Sequence, residues 1–372
     1  LAEQGLVALP ASAAVHFHFG CVLEAKHQYE AAQAAFLRAL DCDPNMILAR
    51  FYQGAQEEAL DQQEQMLNTY VQALELAEKS GMLRSGEQYL PEAHARVNHA
   101  IDVVQQAREA YLTQAMAPLV ACYGRDSLQK IFRMLDVYLG KNPVEWPHPL
   151  QRPTFLLIPD IPPQPWFERE QFSFLAQIEQ ATDIIREELL AVLAVNNADL
   201  KPYVDMPNTA PAAPIWQELN RSTRWSGYHL FRYGERIKAH CQRCPETTAI
   251  LEALPIMRVP GHAPEALFSI LHPHTHIPPH TGVVNGRLTV HLPLIVPENC
   301  GAMIVGGEAR PWEVGKCLIF DDSMVHEARN NSDHTRVVLI FDIWNPYLTK
   351  PEREGMTTAV DAIGRFNRKY TS

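Results

Sequence analysis

Eight prolines fall between Pro143 and Pro165. No segment so dense in proline can run as a regular helix or a central strand, because each proline removes a backbone donor and fixes φ. The stretch therefore divides the 372-residue chain into two parts of different periodicity. Ahead of it, apolar residues recur at three- and four-residue spacing. Behind it, after one more amphipathic segment, they alternate in short runs separated by Gly, Pro and Asn. The expected organisation is a helical repeat domain over 1–142, a linker over 143–165 that hides a short strand at 154–158, and a β domain over 166–372.

The first part carries a repeat of period 34: Gly20 recurs as Gly54, Phe36 as Tyr70 and Ala39 as Ala73, and the first unit closes at Asp43-Pro44. Small residues that let two helices approach, with an aromatic between them, resemble the tetratricopeptide repeat. The second unit is degenerate, with Met66 at a small-residue position and no terminal proline. Helical patterning continues through 91–116 and 128–139. Helices of this kind bury their faces only by stacking on neighbours. Their surface is expected either to help hold a partner or substrate chain or simply to support the second part.

In the second part, 172–194 reads as one amphipathic helix burying Phe174, Ile178, Ile184, Ile185, Leu189 and Leu193. Alternating runs at 225–233, 266–271, 287–296, 302–305, 316–320 and 336–344 argue for an antiparallel sandwich or barrel. Prolines 273, 278 and 279 are expected to break the regular strand around His280.

Composition removes some classes. A formal charge of −11 without a basic stripe disfavours a nucleic-acid binder. No apolar run approaches the ~18 residues of a membrane span. Seven scattered cysteines do not make a disulfide framework and favour a cytoplasmic setting, although a targeting segment ahead of Leu1 stays open. Cys241 and Cys244 have suggestive spacing but no second pair, so free thiols or a loop disulfide are expected rather than zinc.

Chemistry concentrates in 269–342. His280 and His326 flank strand-like runs, and imidazole suits iron. Arg287, Thr289 and His291 share one face of a strand whose other face is apolar, as a barrel lining would. Arg336 opens the strand VVLIFDIW, in phase with Val338 and Ile340. An arginine at the head of an apolar strand is costly to bury without an anion, and its planar guanidinium can clamp a carboxylate with two parallel bonds. A dicarboxylate cosubstrate could thus be anchored by Arg336, with a hydroxyl bond from Ser269, while its 2-oxo acid end chelates the metal.

The segments SILHPHTHIPPHTG, NGRLTVHL, WEVGKCLIFDDSMVHE and FDIWNP, in this order, resemble the aspartyl/asparaginyl β-hydroxylases, which are iron(II)- and 2-oxoglutarate-dependent oxygenases. The resemblance covers about 155–350 and implies a double-stranded β-helix that uses iron(II), 2-oxoglutarate and O2. It implies His280 and His326 as metal ligands and Arg336 with Ser269 as the anchor of the distal carboxylate. His291 would lie near the chelating end, with Arg287 on the same lining. The wider superfamily has a carboxylate two residues after the first histidine, where this chain has Gly282; the family itself has glycine there, which favours hydroxylation over halogenation. Asp322 could hold a water at that place. Trp225 could line the pocket or simply fill the sandwich, and His272, His274 and His334 are expected to be structural or rim residues.

The implied reaction is hydroxylation of the β-carbon of Asp or Asn in a peptide or protein gripped between the repeats and the barrel. Two readings stand beside it: the same chemistry on a lipid acyl chain or small molecule, and a repeat-plus-barrel interaction protein without catalysis.

Overall fold

The computed structural model describes residues 12–83, 91–195, 199–208, 210 and 212–371. They fall into two compact units, the first comprising 1–117 with 362–372 and the second 118–361. Parts of the expected first domain, 1–11 and 84–90, lie outside the described residues.

The first unit is helical. Helices α1 (Ala13–Glu24) and α2 (Tyr29–Cys42) form one hairpin, and α3 (Ile47–Ala59) and α4 (Gln63–Lys79) form the next. The 34-residue period has a direct packing cause. A Cβ on Gly20 would lie 2.5 Å from the Phe36 ring, and one on Gly54 would lie 2.6 Å from Cδ1 of Tyr70. Each hairpin thus closes over an aromatic ring that only glycine admits. Phe36 and Tyr70 are correspondingly buried, as are Ala39 and Ala73. Helix α5 (Pro91–Tyr123) runs longer than its pattern suggested, and Val97, Ala100 and Val104 on it join Tyr70 and Phe366 in one core.

The second unit holds α6 (Gln129–Tyr138), α7 (Leu175–Gln180), α8 (Thr182–Ala194), α9 (Ala213–Trp216), α10 (Lys238–Arg243), α11 (Pro245–Ala253) and most of α12 (Lys350–Thr371). Its strands are β1 (Trp166–Phe167), β2 (Lys201–Pro202), β3 (Trp225–Arg232), β4 (Glu235–Arg236), β5 (Ala266–Leu271), β6 (Thr275–His280), β7 (Arg287–Ile295), β8 (Ala302–Val305), β9 (Glu308–Pro311), β10 (Leu318–Phe320), β11 (His326–Asn330) and β12 (Arg336–Trp344). An antiparallel large sheet runs β1-β10-β7-β12-β5-β3-β2, with β4 on β3, and a four-stranded sheet runs β6-β11-β8-β9. Together they make the double-stranded β-helix.

Strand alternation sorts the large sheet into two faces. Leu288, Val290, Leu292, Val337, Leu339 and Phe341 point to a core shared with residues of α7, α8, α10 and α11. The opposite parity, with Trp225, Leu271, Phe320 and Val338, joins Ile277, Met303 and Val305 of the small sheet. Between the two sheets the polar residues of that second parity face a cavity.

Several expectations change. The segment 172–194 is two helices broken at Ala181, and Ile184 faces solvent at 39% exposure. Prolines 278 and 279 interrupt the regular pairing as expected but do not end the strand: they lie inside β6, an edge strand, where the register against β11 shifts, His280 pairing with His326 and Ile277 with Ala328. The stretch 154–158 forms only a bridge, Leu156 to Val284, and not a strand.

The proline-rich stretch is also not a free linker. The contact boundary falls at Ala117/Pro118, and 148–158 packs on the loops that carry both histidines. Arg152 N donates to Ser323 O at 2.9 Å, Thr154 N to Gly282 O at 3.0 Å, and Thr281 Oγ1 to Arg152 O at 2.7 Å. The residues between the prolines keep their donors and spend them on tertiary bonds.

Candidate active site

His280 ends β6 and His326 begins β11, and the two are register partners in the small sheet. Their ring centroids are 4.0 Å apart. Each ring is held the same way: His280 Nδ1 bonds Pro278 O at 2.8 Å, and His326 Nδ1 bonds Met324 O at 2.9 Å. A carbonyl only accepts, so Nδ1 carries the proton and Nε2 keeps its lone pair. Burial pushes His280 down to about 3, with His326 beside it adding to the shift, and burial lowers His326 as well. Both rings are therefore neutral, with the tautomer that a metal requires.

The loop before His326 is fixed from below. Asp321 accepts from Ser323 N at 2.9 Å and from Gln151 Nε2 at 2.9 Å. Asp322, next along, turns toward Gly282 and pairs with Arg287, which also lies 3.5 Å from Asp342. A Cβ on Gly282 would come within 2.5 Å of Asp322 Oδ1. The carboxylate that the sequence lacks at 282 is thus replaced in space by the carboxylate of 322. Among the described residues, no group of three or more His, Cys, Asp and Glu is arranged to hold a metal.

Across the cavity, the large sheet supplies Arg336 from β12 and Ser269 from β5. Arg336 is 1% exposed, and its Nε and Nη2 have no hydrogen-bond partner among the described residues. Its guanidinium lies over the Trp312 ring, 4.6 Å from the centroid, and burial lowers its pKa to about 10. An arginine held dry without a carboxylate is the expected form of an anion receptor. Ser269 Oγ accepts from Trp225 Nε1 at 3.0 Å, and Trp225 stacks on Tyr203 at 3.9 Å, so Trp225 orients the serine. Trp312 Nε1 donates to His291 Nδ1 at 3.4 Å. His291 is kept neutral by burial, with Arg336 also lowering it, so its other nitrogen is the donor.

His280, His326, Asp322, Ser269, Arg287, His291, Arg336 and Trp225 all line one cavity of about 380 Å³. Arg287 differs from the others in already being neutralised by two carboxylates. The remaining histidines of the cluster stand apart: His274 Nε2 meets Asp333 at 3.0 Å and His276 Nε2 meets Glu327 at 2.6 Å. Cys241 and Cys244 are free, buried thiols.

Among the residues that went unread in the sequence are Asp342 and Trp216, which line the cavity, and Trp312, which contacts His291 and Arg336 of its lining. Asp342 carried a signal, because it shares parity with Arg336, Val338 and Ile340 on β12. Trp312 opens the WEVGKC segment, yet its link between His291 and Arg336 depends on pairing across the fold. Trp216, 4.9 Å from the His280 ring, comes from the short helix α9 and had no local signal.

Comparison with known proteins agrees with the sequence motifs. The chain is 32% identical over 197 residues to aspartyl/asparaginyl β-hydroxylase of Homo sapiens, covering 52% of this chain and 24% of that protein. It is 35% identical over 191 residues to the ornithine lipid ester-linked acyl 2-hydroxylase of Rhizobium tropici, covering 51% and 63%. It is 31% identical over 247 residues to aspartate β-hydroxylase domain-containing protein 2 of Xenopus tropicalis, covering 65% and 62%. The chain thus spans about a quarter of the first relative and under two thirds of the other two. The family model of the aspartyl/asparaginyl β-hydroxylases matches residues 179–346, so this segment of the chain is similar to that family.

Proposed function

We propose that the protein is an iron(II)- and 2-oxoglutarate-dependent dioxygenase that hydroxylates an unactivated C–H bond, the β-carbon of Asp or Asn in a polypeptide. The observation that carries this reading is Arg336, a buried guanidinium with two unpartnered nitrogens, facing the same cavity as two neutral imidazoles with Nε2 lone pairs. These residues fit the group: two nitrogen donors for a divalent iron, and a dry cation for the far carboxylate of a dicarboxylate.

When bound, iron(II) with 2-oxoglutarate supplies O2 activation coupled to oxidative decarboxylation, which yields succinate, CO2 and a hydroxylated product. The chain's own residues position and exclude. His280 and His326 would hold the metal, their rings fixed by the carbonyls of Pro278 and Met324. Arg336, with the Ser269 hydroxyl set by Trp225, would clamp the distal carboxylate. His291 offers a donor to the other end, and Trp312 keeps its ring in place. Asp322, held by Arg287, occupies the space beside Gly282 and would accept a bond from a water held at that place.

The Rhizobium tropici relative, by its name, makes an acyl chain the second reading. Anaerobic titration of the iron(II) protein with 2-oxoglutarate tests the common chemistry. Saturable binding is expected, with succinate formed on admission of O2 and lost in His280→Ala and His326→Ala. A protein that neither binds 2-oxoglutarate nor responds to these substitutions would be the interaction module instead.

A further inference from the structure

We infer that a second cavity, next to the one holding the two histidines, is a side-chain pocket for a bulky apolar residue flanking the hydroxylated one in a polypeptide substrate. The inference rests on the hydroxylase reading above. The second cavity measures about 310 Å³, near the lower end of the ~300–1,000 Å³ typical of ligand sites. Tyr203, Arg232, Tyr233, Glu265 and Arg287 line both cavities, so they form a common wall and not two separate hollows.

Beyond that wall the lining turns apolar apart from the exposed His262, with Val259, Val284, Met356 and Val360 all at 5% exposure or less. Phe155 and Val283 also line it and stay 39% and 43% exposed, so apolar surface is left accessible at these two side chains. They are fixed relative to each other, because the N–H groups of Phe155 and Leu156 both donate to Val283 O at 3.0 Å. Such a lining gives water few partners, and an apolar group gains free energy by filling it.

The wall decides what kind of molecule can reach across. Arg287 is paired with Asp322 and Asp342, His229 lies 3.5 Å from Glu265, and Glu265 accepts from Tyr233 N at 3.1 Å. A hydrocarbon chain crossing these groups would strip water from charges and return no hydrogen bond. A polypeptide carries amide donors and acceptors past them and needs an apolar group only beyond. The polar wall with an apolar recess behind it therefore favours a side chain over an acyl chain.

The test uses the full chain with iron(II), 2-oxoglutarate and O2. Peptides carry one Asp or Asn, with Ala, Leu, Phe or Trp placed in turn at the two positions on either side, and hydroxylation is read by mass spectrometry. At one flanking position Leu or Phe is expected to raise kcat/KM over Ala by about tenfold or more. Val283→Trp, which fills the cavity, should collapse that ratio toward one, and Phe155→Ala, which enlarges it, should move the preference toward Trp. Turnover without flank preference, or a preference that neither variant changes, overturns the inference and leaves the hydroxylase reading intact. So does hydroxylation of a fatty-acyl ester, sensitive to Val283→Trp, in place of any peptide. Failure of anaerobic 2-oxoglutarate binding overturns the hydroxylase reading, and this inference with it.

Discussion

Gly282→Ala is the sharpest probe of how the site is built. Residue 282 has no positive φ, so alanine costs nothing in backbone conformation and the substitution isolates a steric effect. The new methyl would lie 2.5 Å from Asp322 Oδ1, about 1 Å inside the ~3.5 Å at which non-bonded atoms begin to attract. Gly282 N donates to Asp322 O at 2.6 Å, so the two backbones are tied and the carboxylate must be what moves. It then leaves Arg287, and both side chains are largely buried, at 15% and 9% exposure.

Breaking a buried pair costs about 3–5 kcal/mol. Asp342 remains near Arg287 at 3.5 Å, which reduces the expected loss to roughly 2–4 kcal/mol. For a unit of this size that is a fall in Tm of about 5–15 °C. The assay is a double-mutant cycle by thermal or urea unfolding. Asp322→Ala removes the obstacle, so Gly282→Ala in that background should cost under about 1 kcal/mol, giving a coupling of about 1–3 kcal/mol. Gly282→Asp should likewise unfold more easily without gaining a third metal ligand, because the space is already filled. Wild-type stability in Gly282→Ala, or additive single and double variants, would refute the wedge.

Two further outcomes follow from buried charge. Arg336→Met replaces an unpartnered buried cation with an apolar chain of similar length, so stability should rise by about 1–4 kcal/mol. The same change should weaken 2-oxoglutarate binding by about 2–5 kcal/mol, thirtyfold or more, in a calorimetric titration; unchanged affinity would remove Arg336 from the anchor. Burial pushes the Asp321 carboxyl up to about 7, whereas in the unfolded chain it titrates near ~3.9. Between these values the folded state keeps a proton that the unfolded state has released, so this group's contribution to stability falls as pH rises from about 4 to 7 and is flat above. Asp321→Asn removes that slope, and relative to wild type it should gain about 2–3 kcal/mol on going from pH 5 to pH 8. An equal difference at both pH values would show that Asp321 is ionised throughout.

What the sequence determined by itself rests on local periodicity. The 34-residue spacing of Gly20 and Gly54 with Phe36 and Tyr70 was legible because each glycine meets its ring within one hairpin. The alternation of 287–295 and 336–344 was legible because a strand's parity is a property of the strand alone: it placed Arg287, Thr289 and His291 on one face of their strand and Arg336 in phase with Val338 and Ile340, while the pairing of β7 with β12 brings the two sets together. Tertiary structure decided what depends on neighbours from elsewhere in the chain. Prolines 278 and 279 are tolerated because they sit on an edge strand where its register against β11 shifts, and both features come from strand pairing. The proline-rich stretch packs on the site because Ser323 and Gly282 are there to meet its backbone.

The same division holds inside the cavity. Gly282 could be read as a missing carboxylate with Asp322 near it, but only folding shows Asp322 filling the space itself, held by Arg287. Asp342 and Trp216 reach the cavity, and Trp312 reaches His291 and Arg336, through pairing or packing with segments distant in sequence. Spacing along a chain fixes which way a side chain faces; which partners it meets there is set by contacts the chain makes only once folded.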